Sequence, residues 1–480
     1  MSRILVFSGP TLEEETIQSL LPDAEILPPV AAGDLLRLSL DAGDLVAIID
    51  GFYFQTASVR HKELLDLLSR GIHVWGAASM GAMRAAELAP FGMRGFGTIF
   101  QAYQNGEIDG DDEVAVLHAP QEMDYLKLTE ALVNIRYACQ AAVTEGLISQ
   151  EEYALIFASA RERPFFERSY ARIWQQAASR GISPQIIETL RPFVLQKRFN
   201  LKRIDALEMI QALQMPPREP FHPTFELHET SLLRNWRVNE EGFFVKKVWI
   251  TYRELLTAYQ VLDENYPQIH AQLLMEQLCA IARQTLDAPE TIEEERAATL
   301  PLARQQQVDL IARFFTAHYN FPSQGTLPAN MLRWLRPDEQ VLPRAEQLAR
   351  LGVRLWQSTY GADWQASLIR QIKTHSQLPL LVKVAYQTRR LCQTLQEQEG
   401  ETLLARLLPE KVYAWLQKRW QVTEAEFDLA VLEHGFRSRT ACWLAASPFY
   451  LYDKYIGVSL ISPRDQKLEA PGAVQYVGKP

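Results

Sequence analysis

Cysteine is scarce in this 480-residue sequence, and its placement excludes two common ways of cross-linking a chain. The four cysteines lie far apart and form no CxxC pair: Cys139, Cys279, Cys392 and Cys442. This spacing excludes a disulfide framework and a structural zinc site. It is typical of small buried thiols in a reducing compartment.

Long apolar runs are also missing. The longest one late in the chain, Ala441 to Tyr452, is broken by Pro448 and is too short to span a bilayer. The first ten residues lack the extended apolar region of a signal peptide, and we predict that they form a strand. We therefore expect a cytoplasmic protein with no membrane partner.

The sequence shows neither low complexity nor an excess of basic residues. Its hydrophobic fraction of 47% is that of a folded globular protein, and its length favours two or three domains. Residues 1–150 hold 9 Lys and Arg against 21 Asp and Glu, whereas the remaining 330 residues hold 40 against 37. An acidic first region repels phosphate backbones, so we expect no nucleic-acid partner.

Short apolar runs in the first 120 residues predict strands that alternate with helices. The predicted strands are Ile4–Phe7, Leu45–Ile49, Ile72–Gly76 and Val114–Leu117, with a further short apolar segment at Ala24–Leu27. Helices are predicted after Thr11, which would form a capping box with Glu14, and from about Ser58 to Arg70, ended by Gly71. This order indicates a mostly parallel sheet with helices on both faces, a Rossmann-like α/β fold.

Beyond this region the pattern becomes helical. We divide the chain into an α/β core at 1–124, a helical continuation at 125–214, a proline-rich linker at 215–228 and a mainly α-helical domain of unknown role at 229–480. A hairpin is predicted to span Leu233–Ile250.

Polar and glycine-containing turns follow several of the predicted strands, where an open parallel sheet gathers its ligands. Gly9-Pro10, Asp50-Gly51, Ser79 and His118 each follow a strand, and His61 lies in the first turn of a helix that starts at the same edge. We therefore predict a site at this edge.

Ser79 lies between a predicted strand and a helix, in the run Ala77-Ala78-Ser79-Met80-Gly81. Small neighbours permit the sharp turn of a nucleophile elbow. The N–H groups at the start of the helix, at Met80 and Gly81, favour an anion there, and Arg84 would add a full positive charge. The alternative is that Ser79 only caps the helix.

A serine nucleophile requires a base. His61 is the preferred candidate, with Asp50 to orient it, because a helix N-terminus disfavours the charged imidazolium. His118 competes for the same role, and the sequence leaves the choice open.

Two other site types receive weaker support. The acidic run Asp109 to Glu113 lacks the spacing of a calcium loop, so we interpret it as a solvated turn and predict no metal. Gly76 to Gly81 is a loose variant of a dinucleotide-binding motif without its middle glycine, and no lysine follows it, which excludes a P-loop. We predict no cofactor.

Read in order, several segments resemble the core of the TfuA family. These segments are Val6 to Pro10, Leu27 to Pro29 with Gly33-Asp34, Ile49 to Phe52, Val59 to Leu64, Gly76 to Leu88, Phe91 to Met93 and Asp111 to His118. The ordered set covers about residues 4–120 and is far more specific than any single piece.

The resemblance implies a sulfur-delivery protein that acts with a YcaO-type enzyme in thioamidation of peptide backbones, as in the biosynthesis of ribosomal peptide natural products and antibiotics. It implies recruitment of a thiocarboxylated, ThiS-like carrier protein and its hydrolysis to sulfide; a precursor peptide is a further partner. On this chain Ser79 would be the nucleophile or anion holder, His61 the base and Asp50 its orienter. Arg84 and Lys62 would contact the anion.

Two alternatives stay open from the sequence. One is a non-catalytic adaptor that docks the carrier or the precursor peptide onto a YcaO cyclodehydratase, with Ser79 as a cap. The other is a nucleotide-binding subunit that uses the same sheet edge.

Overall fold

A computed structural model describes residues 2–53, 56–246, 248–286, 302–322, 324–360, 363–399 and 407–456. The chain divides into two compact units between Arg237 and Val238. Each unit is described by itself below.

The first unit is built on a five-stranded sheet in which every neighbouring pair is parallel. Its strands are β1 (Ile4–Phe7), β2 (Glu25–Leu27), β3 (Leu45–Ile48), β4 (His73–Ala77) and β5 (Arg94–Phe96). Their order across the sheet is β2-β1-β3-β4-β5. The chain therefore reverses its direction of travel across the sheet between β1 and β3, and in open α/β sheets such a switch point is where ligands bind.

Both faces of this sheet are buried, which explains the near-continuous apolar strands. Along β3, Val46 and Ile48 pack into one core, whereas Leu45 and Ala47 pack into the core on the opposite face. Successive strand residues point to opposite faces, so a strand covered on both sides must be apolar throughout. The predicted α/β fold with helices on both faces is confirmed.

Eleven helices begin in the first unit within the described residues, and the last of them ends at Glu240, past the unit boundary. They are α1 (Glu14–Leu20), α2 (Asp34–Arg37), α3 (His61–Ser69), α4 (Met80–Leu88), α5 (Gly97–Gln104), α6 (Leu132–Thr144), α7 (Gln150–Arg161), α8 (Tyr170–Ser179), α9 (Pro184–Val194), α10 (Leu201–Ala212) and α11 (Ser231–Glu240). Helices α3 and α4 pack on one face of the sheet, and α1 and α10 pack on the other. Helices α6 to α9 form a separate apolar core.

The strand predicted at Val114–Leu117 is wrong. Val114 is a turn residue with helical backbone angles, and Leu117 bonds to the loop that follows it: its carbonyl accepts from Leu128 N–H, and its N–H donates to Thr129 Oγ1. The fifth strand is instead Arg94–Phe96, which is short and contains a glycine, so it carries little apolar signal.

The capping box predicted at Thr11 is also wrong. Helix α1 begins at Glu14, and the Thr11 hydroxyl donates to Asp50 instead of capping the helix. The short apolar segment Ala24–Leu27 contains strand β2.

The proline-rich segment predicted as a linker belongs to the first unit and packs against the rest of it. Phe221 N–H donates to the Gly71 carbonyl at 3.0 Å, and the Phe221 ring contacts the His73 ring. Farther along, the Phe225 ring meets the Phe91 ring edge to face. Aromatic side chains thus anchor this segment to the sheet region of the same unit.

The described part of the second unit consists of one hairpin and helices. The hairpin pairs β6 (Gly242–Val245) with β7 (Val248–Thr251), a narrower range than predicted because helix α11 occupies residues up to Glu240. The helices are α12 (Tyr252–Leu262), α13 (Tyr266–Leu286), α14 (Arg304–Tyr319), α15 (Ala329–Leu332), α16 (Arg344–Tyr360), α17 (Asp363–Ile372), α18 (Leu378–Glu399), α19 (Pro409–Trp420), α20 (Phe427–Glu433) and α21 (Arg439–Ile456). Among the helices described in either unit, none has the length and apolar character needed to cross a bilayer.

Candidate functional site

Ser79 occupies a sharp turn between strand β4 and helix α4. The preceding residue, Ala78, has a left-handed φ of 68°, and the Ser79 N–H donates to the Ala77 carbonyl at 2.8 Å. A hydrogen bond between residues two apart, around a central residue with positive φ, is a strained γ-turn. A left-handed conformation costs a residue with a Cβ about 1–2 kcal/mol.

The Ser79 side chain is not used to stabilise this turn. Ser79 occupies the N-cap position of α4, but its hydroxyl accepts no capping hydrogen bond. Within the described residues its Oγ has no hydrogen-bond partner, although Ser79 is only 8% exposed. A nearly buried hydroxyl without a protein partner is free to meet a ligand.

Two glycines allow α4 to lie very close to the sheet. A Cβ on Gly81 would lie 1.8 Å from the Ile48 carbonyl oxygen, and one on Gly76 would lie 2.1 Å from the Gly81 carbonyl oxygen. The Gly81 N–H donates to Ile49 O at 3.3 Å. Gly81, which was predicted to bind an anion, thus holds the helix start against β3.

The N–H of Met80 is the one left for a ligand among the first four of α4. The N–H groups of Ala82 and Met83 donate to the Ser79 carbonyl, and that of Gly81 is engaged as described. Within the described residues, Met80 N–H donates to no protein acceptor. In a nucleophile elbow, the residue after the nucleophile supplies one oxyanion donor.

A solvent-open cavity lies over this turn. Six of the predicted site residues line it: Pro10, Asp50, Gly51, Ser79, Met80 and His118. Because Pro10 follows β1 and Asp50 follows β3, the cavity lies at the switch point of the sheet.

His118 lines the cavity directly after the segment that was predicted as a strand. Its Nδ1 lies 2.8 Å from the Ala119 carbonyl oxygen, which can only accept, so Nδ1 carries the proton in the neutral ring. Nε2 is then a proton acceptor, and it has no hydrogen-bond partner within the described residues. The ring is fixed between Phe52 and Tyr125, with centroid distances of 5.9 and 5.6 Å.

His61 is not among the residues that line the cavity. It is the first residue of α3, as predicted, but its Nε2 lies 2.8 Å from Glu87 Oε2 and 3.4 Å from a guanidinium nitrogen of Arg84. The predicted partner, Asp50, makes no hydrogen bond to it. The role predicted for His61 stays a prediction.

Asp50 stabilises the loop after β1. Its carboxylate accepts from Gly9 N–H and Thr11 N–H, both at 3.0 Å, and from the Thr11 hydroxyl at 2.6 Å. The buried ammonium of Lys202 lies 3.8 Å away and donates to the Val114 carbonyl. An internal carboxylate therefore already occupies the N–H groups that a nucleotide phosphate would use on this loop.

Arg84 and Lys62 point to protein partners. Arg84 donates to the Val59 carbonyl at 3.2 Å and to Glu87 at 2.6 Å. Lys62 donates to the His228 carbonyl at 3.0 Å. Neither lines the cavity, so the structure gives no support to the anion contacts predicted for them.

The sequence analysis missed several residues of the site. Tyr53 lines the cavity together with Asp111, and burial together with the Asp111 charge and hydrogen bond raises the pKa of Tyr53. Tyr53 follows Asp50-Gly51 at the sheet edge, so strand position could have identified it. Buried Lys202 offers no such signal, because it reaches Asp50 from a helix about 150 residues later in the chain.

Neighbouring acids in the run 109–113 are paired with arginines. Asp112 accepts from buried Arg168 at 2.8 Å, and Glu113 accepts from Arg136 at 2.7 Å. These ion pairs attach the acidic turn to the helical part of the first unit.

Residues 50–169 match the family of TfuA-like proteins. The matched range begins at Asp50 and contains the Ser79 elbow, His61 and His118. The resemblance found in the sequence is therefore confirmed over this range. A comparison with curated proteins finds no match to the chain.

The TfuA-like region connects the chain, at the level of the family, with the TfuA–YcaO thioamidation system. Proteins of this family are associated with YcaO partners in general. The region contributes the elbow and the His118 segment of the cavity, whereas Pro10 and Pro29 come from residues before it.

Proposed function

We propose that the first unit hydrolyses a thiocarboxylated carrier protein and releases sulfide for a YcaO-type enzyme. One observation carries this proposal: an unpartnered serine hydroxyl, on a strained turn at a helix N-terminus, shares a cavity with a histidine whose Nδ1 is anchored. A nucleophile, a base and an oxyanion donor are the components that acyl transfer requires.

In the first step, Ser79 Oγ attacks the carbonyl carbon of the thiocarboxylate and gives its proton to His118 Nε2. The Met80 N–H stabilises the oxygen that becomes negatively charged. The C–S bond then breaks, and His118 returns the proton to the departing sulfur, which leaves as hydrosulfide. The carrier is left as an ester on Ser79.

In the second step, water attacks the ester carbon and His118 accepts a proton from it. The bond to Ser79 breaks, the serine recovers that proton from His118, and the carrier leaves as a carboxylic acid, whose remaining proton passes through solvent to the hydrosulfide. The sum is thiocarboxylate plus water giving carboxylate plus hydrogen sulfide, with no oxidant or reductant.

His118 is a better supported base than His61. It shares the cavity with Ser79, and its Nδ1 hydrogen bond leaves Nε2 as the acceptor. His61 Nε2 is engaged by Glu87 and Arg84. A general base must lie within hydrogen-bond reach of the proton it takes.

The test compares His118→Ala with His61→Ala, using sulfide release from a thiocarboxylated ThiS-like carrier. We expect His118→Ala to slow release by about 100-fold or more, since general-base catalysis typically contributes 10²–10⁴-fold. His61→Ala should stay within about threefold of the wild type. The reverse pattern would assign the base to His61.

A further inference from the structure

An exposed apolar surface borders the cavity. The loop at residues 119–128, called the rim loop below, presents Met123, Leu126 and Leu128, which are 57, 57 and 52% exposed. Three large apolar side chains more than half exposed on one short loop are unusual for a surface that meets only water.

The rim loop is tied to the segment that carries His118. Ala119 N–H donates to the Leu126 carbonyl, and Leu128 N–H donates to the Leu117 carbonyl, both at 2.8 Å. His118 itself forms a bridge with Lys127. The exposed side chains therefore have a fixed position relative to a cavity-lining histidine.

The tip of the rim loop is strained. Asp124 and Tyr125 have φ values of 51° and 52°, two consecutive left-handed residues of which neither is glycine. Such conformations persist where the surrounding structure imposes them, and they concentrate at functional sites. Here the two residues set the direction of the chain between Met123 and Leu126.

Aromatic rings continue the apolar surface around the cavity. The Tyr125 ring contacts the ring of cavity-lining His118, which in turn contacts Phe52. The next residue, Tyr53, also lines the cavity, and its ring contacts Phe165 at 5.8 Å. Phe165 packs against Phe166, which is 47% exposed. The rim loop and these rings are called the rim surface below.

Acidic side chains accompany the rim surface. Residues 101–128 contain seven Asp and Glu and one Lys, and two of the acids, Asp112 and Glu113, are paired with arginines as described above. Exposed Asp109 and Asp124 form no ion pair within the described residues. The region is therefore apolar at the rim loop and negative around it, and it complements an apolar surface surrounded by basic residues.

We propose that the rim surface is the docking site for the folded body of the carrier protein, through a carrier face that is apolar at its centre and basic at its edge. This rests on the proposed function, because the reacting group of the carrier must enter the cavity to reach Ser79. The body of the carrier then lies against the surface around the cavity opening. That surface includes the rim surface, because His118 and Tyr53 line the cavity and their rings contact rings of the rim surface.

The test measures binding separately from turnover. A ThiS-like carrier with an ordinary C-terminal carboxylate is titrated into the full-length protein, and the Kd is compared with that of Leu126→Asp/Leu128→Asp. We expect the Kd to rise at least tenfold, because two charges would replace apolar contacts. The matched control is Leu195→Asp, since Leu195 is 70% exposed at the end of α9; it should leave the Kd unchanged.

Charge is tested with Asp124→Lys. We expect a weaker complex, with a Kd raised about threefold, and less dependence of the Kd on salt than in the wild type. Asp23→Lys makes the same charge change before β2, at the opposite edge of the sheet, and should have no effect.

Thioacetate hydrolysis distinguishes failure of docking from failure of the chemistry. The Leu126→Asp/Leu128→Asp variant should hydrolyse this small thioacid at the wild-type rate. An unchanged Kd would overturn docking, whether or not thioacetate is hydrolysed. A raised Kd in the variant, together with no turnover of either substrate by the wild type, would support docking and reject the proposed hydrolysis. A wild-type dimer in sedimentation that becomes monomeric in the variant, with an unchanged Kd, would assign the surface to a second copy instead.

Discussion

The reactivity proposed for Ser79 comes from its backbone surroundings. Its hydroxyl has no partner in the described protein, and the turn before it is strained at Ala78. Met80 lines the same cavity, and its N–H donates to no acceptor in the described protein. At the scale of single residues, a hydrogen-bond donor fixed in the backbone needs no reorganisation when negative charge develops. The proposed oxyanion site is therefore present before the substrate arrives.

The strain at Ala78 predicts an unusual response to glycine. Ala78→Gly should cost less stability than Ala77→Gly by about 1–2 kcal/mol, because only Ala78 has a left-handed φ that glycine relieves. Both alanines are fully buried, so loss of the methyl group affects them alike. Chemical denaturation of the full chain measures the difference, and equal costs would show that Ala78 carries no strain.

Local patterns predicted Ser79 but could not choose its base. The serine turn is local, since a strand, small residues and a helix follow each other within a few positions. The choice between His61 and His118 depends on contacts that are distant in sequence: Glu87 lies 26 residues beyond His61, and only the folded chain brings them together. No periodicity in the sequence contains that information.

At the scale of elements, the close approach of α4 to the sheet positions Ser79. The contacts of Gly76 and Gly81 leave no space for a side chain between α4 and strands β3 and β4. The start of α4 is consequently fixed by main-chain atoms, and any displacement of the helix would move Ser79 and the Met80 N–H together.

Gly81→Ala should therefore destabilise the protein strongly. Its Cβ would overlap the Ile48 carbonyl oxygen, so the helix must shift, and we expect a loss of about 3 kcal/mol or more. Gly106→Ala is the matched control, because a Cβ at Gly106 meets nothing within 4 Å; its positive φ alone should cost about 1 kcal/mol. Similar losses in the two variants would refute the role of close packing.

Elements were predictable where both faces of a strand are buried. The β3 and β4 segments are apolar and short, and the structure contains them with bounds shifted by at most one residue. Val114–Leu117 has the same apolar composition, but its backbone partners are a loop and Lys202. Composition reports burial, and burial alone does not decide which backbone groups pair.

At the scale of the whole molecule, the two units contain buried groups with opposite responses to acid. In the first unit, burial raises the pKa of Glu63 to about 7, despite its bonds to Gly33 and Arg60. In the second unit, burial lowers the pKa of His270 to about 4 and that of His434 to about 3.

These shifts set the sign of each contribution to stability. Between about pH 4.5 and 7, folded Glu63 keeps a proton that the unfolded chain releases, so this contribution grows as pH falls. Between about pH 6.5 and 4, the two histidines bind protons in the unfolded chain but not in the folded one. The contribution of the neutral histidines to stability is therefore lost as pH falls.

Two variants test these signs by calorimetry of the full chain. The stability of Glu63→Gln relative to the wild type should increase from pH 5 to 7, by roughly 1–3 kcal/mol. The deficit of His434→Asn relative to the wild type should shrink from pH 6.5 to 4.5, because the wild type loses its own advantage. Parallel pH curves for variant and wild type would contradict the assigned pKa shifts.

Sulfide release by Ser79→Ala tests the central claim most directly. The substrate is a thiocarboxylated ThiS-like carrier, and Ser69→Ala, which removes a hydroxyl at the end of α3, is the control. We predict a fall of about 1,000-fold or more for Ser79→Ala, with unchanged folding, and wild-type release for Ser69→Ala. Release at the full rate by a folded Ser79→Ala protein would contradict nucleophilic catalysis and leave the chain as an adaptor.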